Sequence, residues 1–133
     1  MKWEQTYETG IKQIDNEHKI IVQLINNLEL SLQKGNEEKT AVLVLKNLAD
    51  YVKIHFKNEE RVMKKIGFLE LSRHKRLHKD LVKQVANIIK DFKMGKPWTA
   101  RELLGFLQHW LVYHIVEEDK KIGKFLNSIL NST

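Results

Sequence analysis

Four segments of the chain carry apolar residues at alternating spacings of three and four, the pattern of a helix with one buried face. They span about residues 15–34, 37–66, 71–93 and 99 to nearly the C-terminus, after a short arm with Trp3 and Tyr7. The apolar inward positions are Ile14, Ile21, Ile25, Leu28, Leu32, Leu45, Leu48, Val52, Val62, Ile66, Leu71, Leu81, Val85, Ile88, Phe92, Leu103, Leu107, Trp110, Ile122, Leu126 and Ile129. The pattern predicts an all-α fold, an up-down-up-down antiparallel four-helix bundle, as a single domain over residues 1–133.

The inward faces also contain seven ionisable side chains, which a purely hydrophobic core excludes. These are His18, His55, Glu59, His74, His78, His114 and Asp119. Burying such groups without partners is costly, and a metal ion removes that cost. The chain has no cysteine, so the ligands must be nitrogen and oxygen. Imidazole with carboxylate suits iron, zinc, copper or nickel.

The spacing of four of these residues suits chelation. His55 and Glu59 are four residues apart, as are His74 and His78, so each pair lies on one helical face. Two octahedral ions that are bridged by both carboxylates and one hydroxide would take up all five imidazoles. One coordination position would stay open, and a small ligand could bind there.

The fourth segment contains one irregular spacing and three ionisable residues outside the inward face. His114 and Asp119 are five residues apart, which on a regular helix rotates them by about 140°. Either the helix has a local wide turn there, or Asp119 reaches sideways. We expect His109 to lie exposed or at the rim, and Glu117 and Glu118 to be solvated, with a supporting role behind the ligands as the alternative for Glu118.

Composition excludes several other classes of protein. Apolar residues make up 42% and charged residues 30%, which is typical of a folded soluble domain. No signal peptide or run of the roughly 18 apolar residues of a membrane span is evident, so we expect a cytoplasmic protein without membrane contact. The net charge of +6 comes from dispersed lysines. We therefore expect a solvated surface, with at most a weakly bound acidic partner and no nucleic acid.

A set of short motifs contains all seven predicted ligands. They are Asp15–Asn16–Glu17–His18, His55-x-x-x-Glu59, His74-x-x-x-His78, and Trp110–Leu111–Val112–Tyr113–His114 with Asp119. Together they resemble the hemerythrin family, specifically its single-domain bacterial members, over nearly the whole chain. One departure is Phe68–Leu69, where an aromatic residue followed by proline is common in the family.

The resemblance implies a non-haem di-iron centre that alternates between Fe2+ and Fe3+. It implies the following ligands: His74, His78 and His114 on one iron, His18 and His55 on the second iron, and Glu59, Asp119 and a hydroxide or oxide as bridges. The second iron would keep the open position, and dioxygen would bind there reversibly.

Five apolar residues next to the ligands are candidates for the wall of the oxygen pocket. Ile21 and Leu111 lie one turn from a ligand, Trp110 lies one turn before His114, and Phe56 and Ile115 directly follow ligands. They could equally be core residues, and the two roles are compatible. Residues of this type would exclude water from bound oxygen.

The resemblance favours a monomeric, non-enzymatic oxygen-binding protein for storage or for delivery to an oxygen-using enzyme. An oxygen or redox sensor acting through the N-terminal arm is one alternative. A di-iron peroxidase or a nitric-oxide-handling oxidoreductase is the other. A site rich in histidine with a single vacancy favours binding over turnover.

Overall fold

Four long helices form the bundle in a computed structural model that describes residues 1–33, 38–95 and 100–132. The first three are α1 (Lys12–Gln33), α2 (Glu38–Ile66) and α3 (Leu71–Lys93). The fourth consists of α4 (Ala100–Tyr113), a π-helical segment (His114–Asp119) and α5 (Lys120–Asn131). Helix α1 packs against α2 and α4, and α2 packs against α3. The predicted four-helix bundle with a short N-terminal arm is confirmed.

The sequence also predicts a helix stop at Gly35, an N-cap at Asn36 and a capping box that begins at Thr99. All three residues lie outside the described residues. None of the helices in the described ranges has the length and apolar character that crossing a membrane requires.

The connection between α2 and α3 shows how the sequence ends a helix. Gly67 has a positive φ of 73°, which a residue without a Cβ adopts at little cost. The amide of Phe68 donates to the carbonyl of Met63 at 2.9 Å, and that of Gly67 donates to Lys64 at 3.2 Å. This pair of hydrogen bonds is the Schellman motif, and it satisfies the last carbonyls of α2.

The hydrophobic core is divided into two clusters. The larger contains Ile21, Phe56 and Ile115, and the smaller contains Ile14, Met63, Phe68 and Ile122. In α1, α2 and the fourth helix, residues of the two clusters flank a predicted ligand on either side along the sequence. The ionisable residues therefore occupy the layer between two apolar regions.

Most predicted inward positions are buried, but the buried face departs from the prediction at two helix ends. In α2, Met63 is fully buried, whereas Val62 and Ile66 are half-buried. The buried face of α2 therefore passes from Glu59 to Met63, four residues later, and not to Val62 as predicted. In α5, Ile129 is 39% exposed, so the core ends before the last turn. Further predicted positions that are only half-buried are Leu32, Leu71, Leu81, Phe92 and Leu126.

The N-terminal arm is fixed to the bundle at several points, among them hydrogen bonds of 3.0 and 2.8 Å between Met1 and Asn26. The Asp15 carboxylate accepts hydrogen bonds from the backbone amide and the hydroxyl of Thr9, both 2.8 Å long. Any side chain at Gly123 would collide with the Thr9 backbone carbonyl, so the arm and α5 pack in direct contact there. Further along the arm, the Trp3 ring lies 6.5 Å from the ring of His18, measured between centroids. The arm therefore reaches the polar layer of the bundle.

Candidate metal centre

The seven ionisable residues that the sequence predicts to face inward meet in the middle of the bundle. All are buried, and the carboxylates of Glu59 and Asp119 are fully inaccessible. Their ligand atoms fall into two groups in which all the atoms lie within 4.8 Å of one another. One group is Glu59, His74, His78, His114 and Asp119, and the other is His18, His55, Glu59 and Asp119. The two carboxylates belong to both groups.

Glu59 directs one oxygen to each group of histidines. Its Oε1 lies 3.0 Å from Nε2 of His74 and 3.0 Å from Nε2 of His78. Its Oε2 lies 3.2 Å from Nε2 of His55 and 3.6 Å from Nε2 of His18. A carboxylate that is shared in this way is positioned to bridge two ions.

Asp119 divides its oxygens in the same manner. Its Oδ1 lies 3.0 Å from Nε2 of His74 and 3.0 Å from Nε2 of His114, whereas Oδ2 lies 3.0 Å from Nε2 of His18. Both carboxylates therefore separate the same three histidines (His74, His78 and His114) from the same two (His18 and His55).

The π-helical segment brings His114 and Asp119 to the same side of the fourth helix. In a π-helix the backbone hydrogen bond runs from residue i to residue i+5, so residues five apart lie about one turn from each other. His114 and Asp119 are the first and last residues of this segment. Of the two expectations for this spacing, the local wide turn is the one observed.

Two carboxylates on the outer side of the cluster orient ligand rings, a role that the helical pattern of the sequence does not predict for either. Nδ1 of His55 donates to Glu17 Oε1 at 2.7 Å, and Nδ1 of His78 donates to Glu60 Oε2 at 2.8 Å. Because an ionised carboxylate only accepts, the proton is held on Nδ1 and the lone pair of Nε2 faces the centre. Each glutamate is next to a predicted ligand in the sequence, and this position could have indicated its role.

Glu118 is buried, with 5% of its surface exposed, so the expectation of a solvated surface residue is wrong. Arg73 of α3 donates hydrogen bonds of 2.6 and 3.0 Å to its two oxygens, and Lys121 lies 3.7 Å away. The hydrogen bond from Arg73 lowers the pKa of the Glu118 carboxyl and outweighs the opposing effect of burial. The wide π turn rotates Glu118 towards α3. The periodicity of a regular α-helix does not predict this rotation.

Unpartnered polar atoms show that the cluster fits a metal. Within the described chain, Nε2 of His18, His55 and His114 has no hydrogen-bond partner, and neither does Glu59 Oε2 or Asp119 Oδ2. Buried nitrogen and oxygen atoms are almost always satisfied, so their convergence on one point indicates a site that fits a cation. The donor set of imidazole and carboxylate suits iron.

The electrostatic potential of the centre also favours a cation. Burial raises the pKa of Glu59, but the nearby imidazole groups of His18, His55 and the other histidines lower it well below its ordinary value. Burial lowers the pKa of His74, but its hydrogen bonds to Asp119 and Glu59 raise it to about 9. Burial and the charge of Glu59 raise the pKa of Asp119, but His114 and His18 lower it below its ordinary value. Both carboxylates therefore remain ionised, and their negative charge favours positive species at this point.

A small cavity adjoins one side of the centre. It has a volume of about 10 Å³, roughly the space that one water-sized molecule needs. Its walls are Ile21, Phe56, Trp110, Leu111 and Ile115, with His18, His55, His114 and Asp119. All five predicted pocket residues thus line one cavity, which also touches His18 and His55 but neither His74 nor His78.

His109 and Glu117 lie outside the centre, as predicted. Both are exposed. The His109 ring stacks on the ring of Tyr113, with the centroids 6.2 Å apart. Neither belongs to the two groups of candidate ligands.

Comparisons with known proteins agree with this geometry. The family model for the hemerythrin HHE cation binding domain matches residues 9–126. The chain belongs to the hemerythrin family. The bacteriohemerythrin of Pseudomonas aeruginosa (strain LESB58) is 36% identical over 117 residues, 88% of this chain and 75% of that protein. The bacteriohemerythrin of Methylococcus capsulatus is 34% identical and covers 92% of each chain.

Solved hemerythrin structures show the same architecture. A crystal structure of a wild-type hemerythrin has a TM-score of 0.86 and 34% sequence identity to this chain. The alignment covers 95% of this chain and 97% of that one. The similarity therefore extends over the whole bundle that holds the candidate ligands.

Proposed function

We propose that this hemerythrin-family protein holds two iron ions and binds dioxygen reversibly. The observation that carries the proposal is the division of both carboxylates, Glu59 and Asp119, between two groups of histidines. Two ferrous ions bound there would supply the electrons that reversible oxygen binding requires. The similarity to bacteriohemerythrin and hemerythrin supports the same family function.

The proposed ligands are those that the sequence predicts. One iron is bound by His74, His78 and His114, and the other by His18 and His55, with Glu59, Asp119 and a hydroxide as bridges. The apolar cavity supports placing the open position at the second iron, because its wall includes both histidines of that iron, His18 and His55, but only His114 of the three on the other.

The surrounding residues provide the conditions for reversible binding. Glu17 and Glu60 hold the rings of His55 and His78 in one orientation, which keeps Nε2 directed at the centre. Apolar cavity walls such as Leu111 and Phe56 exclude water, which suppresses proton transfer to bound oxygen. These residues favour binding followed by release.

Storage or delivery of oxygen is the role we propose, rather than turnover of a substrate. The cavity has room for one small molecule only, so it offers no space for an organic substrate beside the open position. A peroxidase that acts on organic molecules would need a larger opening at His18 and His55. The recipient of the oxygen would be an oxygen-using enzyme.

A sensor is the second candidate, and one contact favours it. Trp3 of the N-terminal arm lies within 6.5 Å of His18, so a change at the centre could alter the position of the arm. Trp3 fluorescence and limited proteolysis of the arm, compared between the oxygen-free and oxygenated protein, would reveal such a change. Identical results in both states would exclude the sensor mechanism.

A visible spectrum tests the proposed function. Iron-loaded protein should show a charge-transfer band that appears on addition of oxygen and disappears when oxygen is removed under argon. Several cycles should leave its amplitude nearly constant. Rapid consumption of peroxide or of an organic reductant, without a stable oxygenated spectrum, would favour an enzyme instead.

A further inference from the structure

Six exposed basic side chains gather on one side of the molecule, although they are dispersed in the sequence. This basic face comprises Lys53, Lys57, Arg61 and Lys64 of α2 with Lys75 and Lys79 of α3. They line two adjoining grooves of about 380 and 260 Å³, which share Lys57, Glu60 and Lys75. The only acidic residue lining either groove is Glu60, so the face carries a net charge of +5.

This face accounts for nearly all the excess charge of the protein. The chain has 23 basic and 17 acidic residues, so 17 basic and 16 acidic residues remain elsewhere and nearly cancel. None of the ion pairs among the described residues involves the six basic side chains. A concentrated and unpaired positive charge of this kind attracts an acidic partner at long range.

The larger groove contacts the candidate metal centre at His78, which lines the groove and is also a candidate ligand. Glu60 lines the groove and accepts the hydrogen bond from His78 Nδ1, and His78 itself lines the groove. The Phe56 ring, also in the groove wall, stacks on the His78 ring with centroids 3.8 Å apart and planes 3° from parallel. The face therefore abuts the outer side of a candidate ligand.

The groove and the oxygen cavity touch different histidines. His78 lines the groove but not the cavity, whereas His18 and His55 line the cavity but not the groove. A partner at the basic face thus approaches the centre without entering the oxygen pocket. This arrangement suits the passage of an electron rather than of a molecule.

We propose that the basic face docks an acidic one-electron carrier protein, which returns oxidised iron to the ferrous state through His78. The inference rests on the proposed di-iron function. In each encounter the reduced carrier loses one electron and one Fe3+ becomes Fe2+, so two encounters restore one centre. Val82, which is half-buried, lines the larger groove beside the lysines, so the basic side chains adjoin an apolar contact, as in protein interfaces with a charged rim.

The test uses flavodoxin, an acidic one-electron carrier, as the probe and the iron-loaded full chain as the target. Binding of oxidised flavodoxin is measured by calorimetry at low and high salt, and the rate of reduction of ferric protein by reduced flavodoxin is measured by stopped flow. The test variant is Lys57→Glu with Lys75→Glu. The control is Lys12→Glu with Lys124→Glu, which makes the same change in charge at exposed positions outside both grooves.

We expect the wild-type protein to bind flavodoxin with an affinity that falls as salt rises. The Lys57/Lys75 variant should bind about tenfold or more weakly at low salt and be reduced correspondingly more slowly, and the control should change less than about threefold. Iron content and the visible spectrum should match among the three proteins, because the altered side chains are exposed.

Three results would overturn the proposal: no binding by the wild-type protein, equal binding by both variants, or weaker binding of the test variant without slower reduction. Tighter binding of a DNA duplex to the same lysines would also overturn it, since the face would then serve nucleic acid. Calorimetry is done without oxygen, so the binding result stands even if reversible oxygen binding fails.

Discussion

The guanidinium group of Arg73 donates two hydrogen bonds to the Glu118 carboxylate, which joins α3 to the π-helical segment. Glu118 precedes Asp119 directly, so this ion pair lies one residue from a carboxylate shared by both groups of histidines. A π turn is a rare local structure, and a bidentate ion pair across the bundle stabilises it against return to a regular helix.

Replacing Arg73 by alanine should therefore destabilise the protein and loosen the centre. Glu118 would remain buried with only the more distant Lys121 nearby. Arg73 is itself partly exposed, which screens the interaction, so we expect a loss of about 1–2 kcal/mol in the free energy of unfolding. Urea denaturation and retention of iron during dialysis measure the two effects. Arg76→Ala, at an exposed position of the same helix, should change neither.

The role of Glu59 as a shared carboxylate predicts a large effect on metal content. Glu59→Ala should sharply lower the fraction of chains that hold two irons, because it removes an oxygen from each group of histidines. Iron analysis of protein expressed with ample iron measures this. His109→Ala should leave the iron content and the oxygen spectrum nearly unchanged. If the two variants behaved alike, the assignment of the ligands would be wrong.

Glu17 offers a test of ring orientation that leaves every candidate ligand in place. Glu17→Gln should weaken iron binding by roughly 10- to 100-fold, because an amide supports the Nδ1 proton of His55 less strongly than a carboxylate does. Competition with a chelator of known affinity measures the change. The control is Glu117→Gln, an exposed position close to the ligands in sequence. Equal affinities in the two variants would mean that Glu17 does not support the centre.

Leu111 should protect bound oxygen in addition to filling the core. Leu111→Ala and Leu45→Ala each truncate a buried leucine, so both should lose roughly 2–5 kcal/mol of stability. Leu111 lines the cavity and Leu45 does not, so only Leu111→Ala should markedly accelerate autoxidation of the oxygenated protein. The decay of the charge-transfer band measures this rate. Equal rates would show that Leu111 does not guard the site.

The arrangement of the helices and the position of the seven ionisable residues could be predicted because both follow from periodicity. Inward residues recur every three or four positions, and this spacing alone predicts that His18, His55 and Glu59 lie on buried faces. The five-residue spacing between His114 and Asp119 also predicted a local wide turn, with a sideways-reaching Asp119 as the alternative.

Other parts of the site depend on contacts between helices, which periodicity does not describe. Glu17 and Glu60 lie beside the inward face, and their roles appear only when His55 and His78 pack against them. Glu118 was wrongly assigned to the surface because the π turn changes the phase of the helix at that residue. The basic face arises because α2 and α3 pack side by side and combine lysines that are scattered along the chain.

We propose that the centre holds two irons and one reversibly bound dioxygen. The most direct measurement is the determination of iron, protein and bound oxygen in the same iron-loaded sample, with oxygen then removed and added again. We predict two irons per chain and one oxygen per two irons, with full release and rebinding of oxygen. A fully folded sample that holds no more than one iron, or that consumes oxygen without releasing it, would contradict the claim.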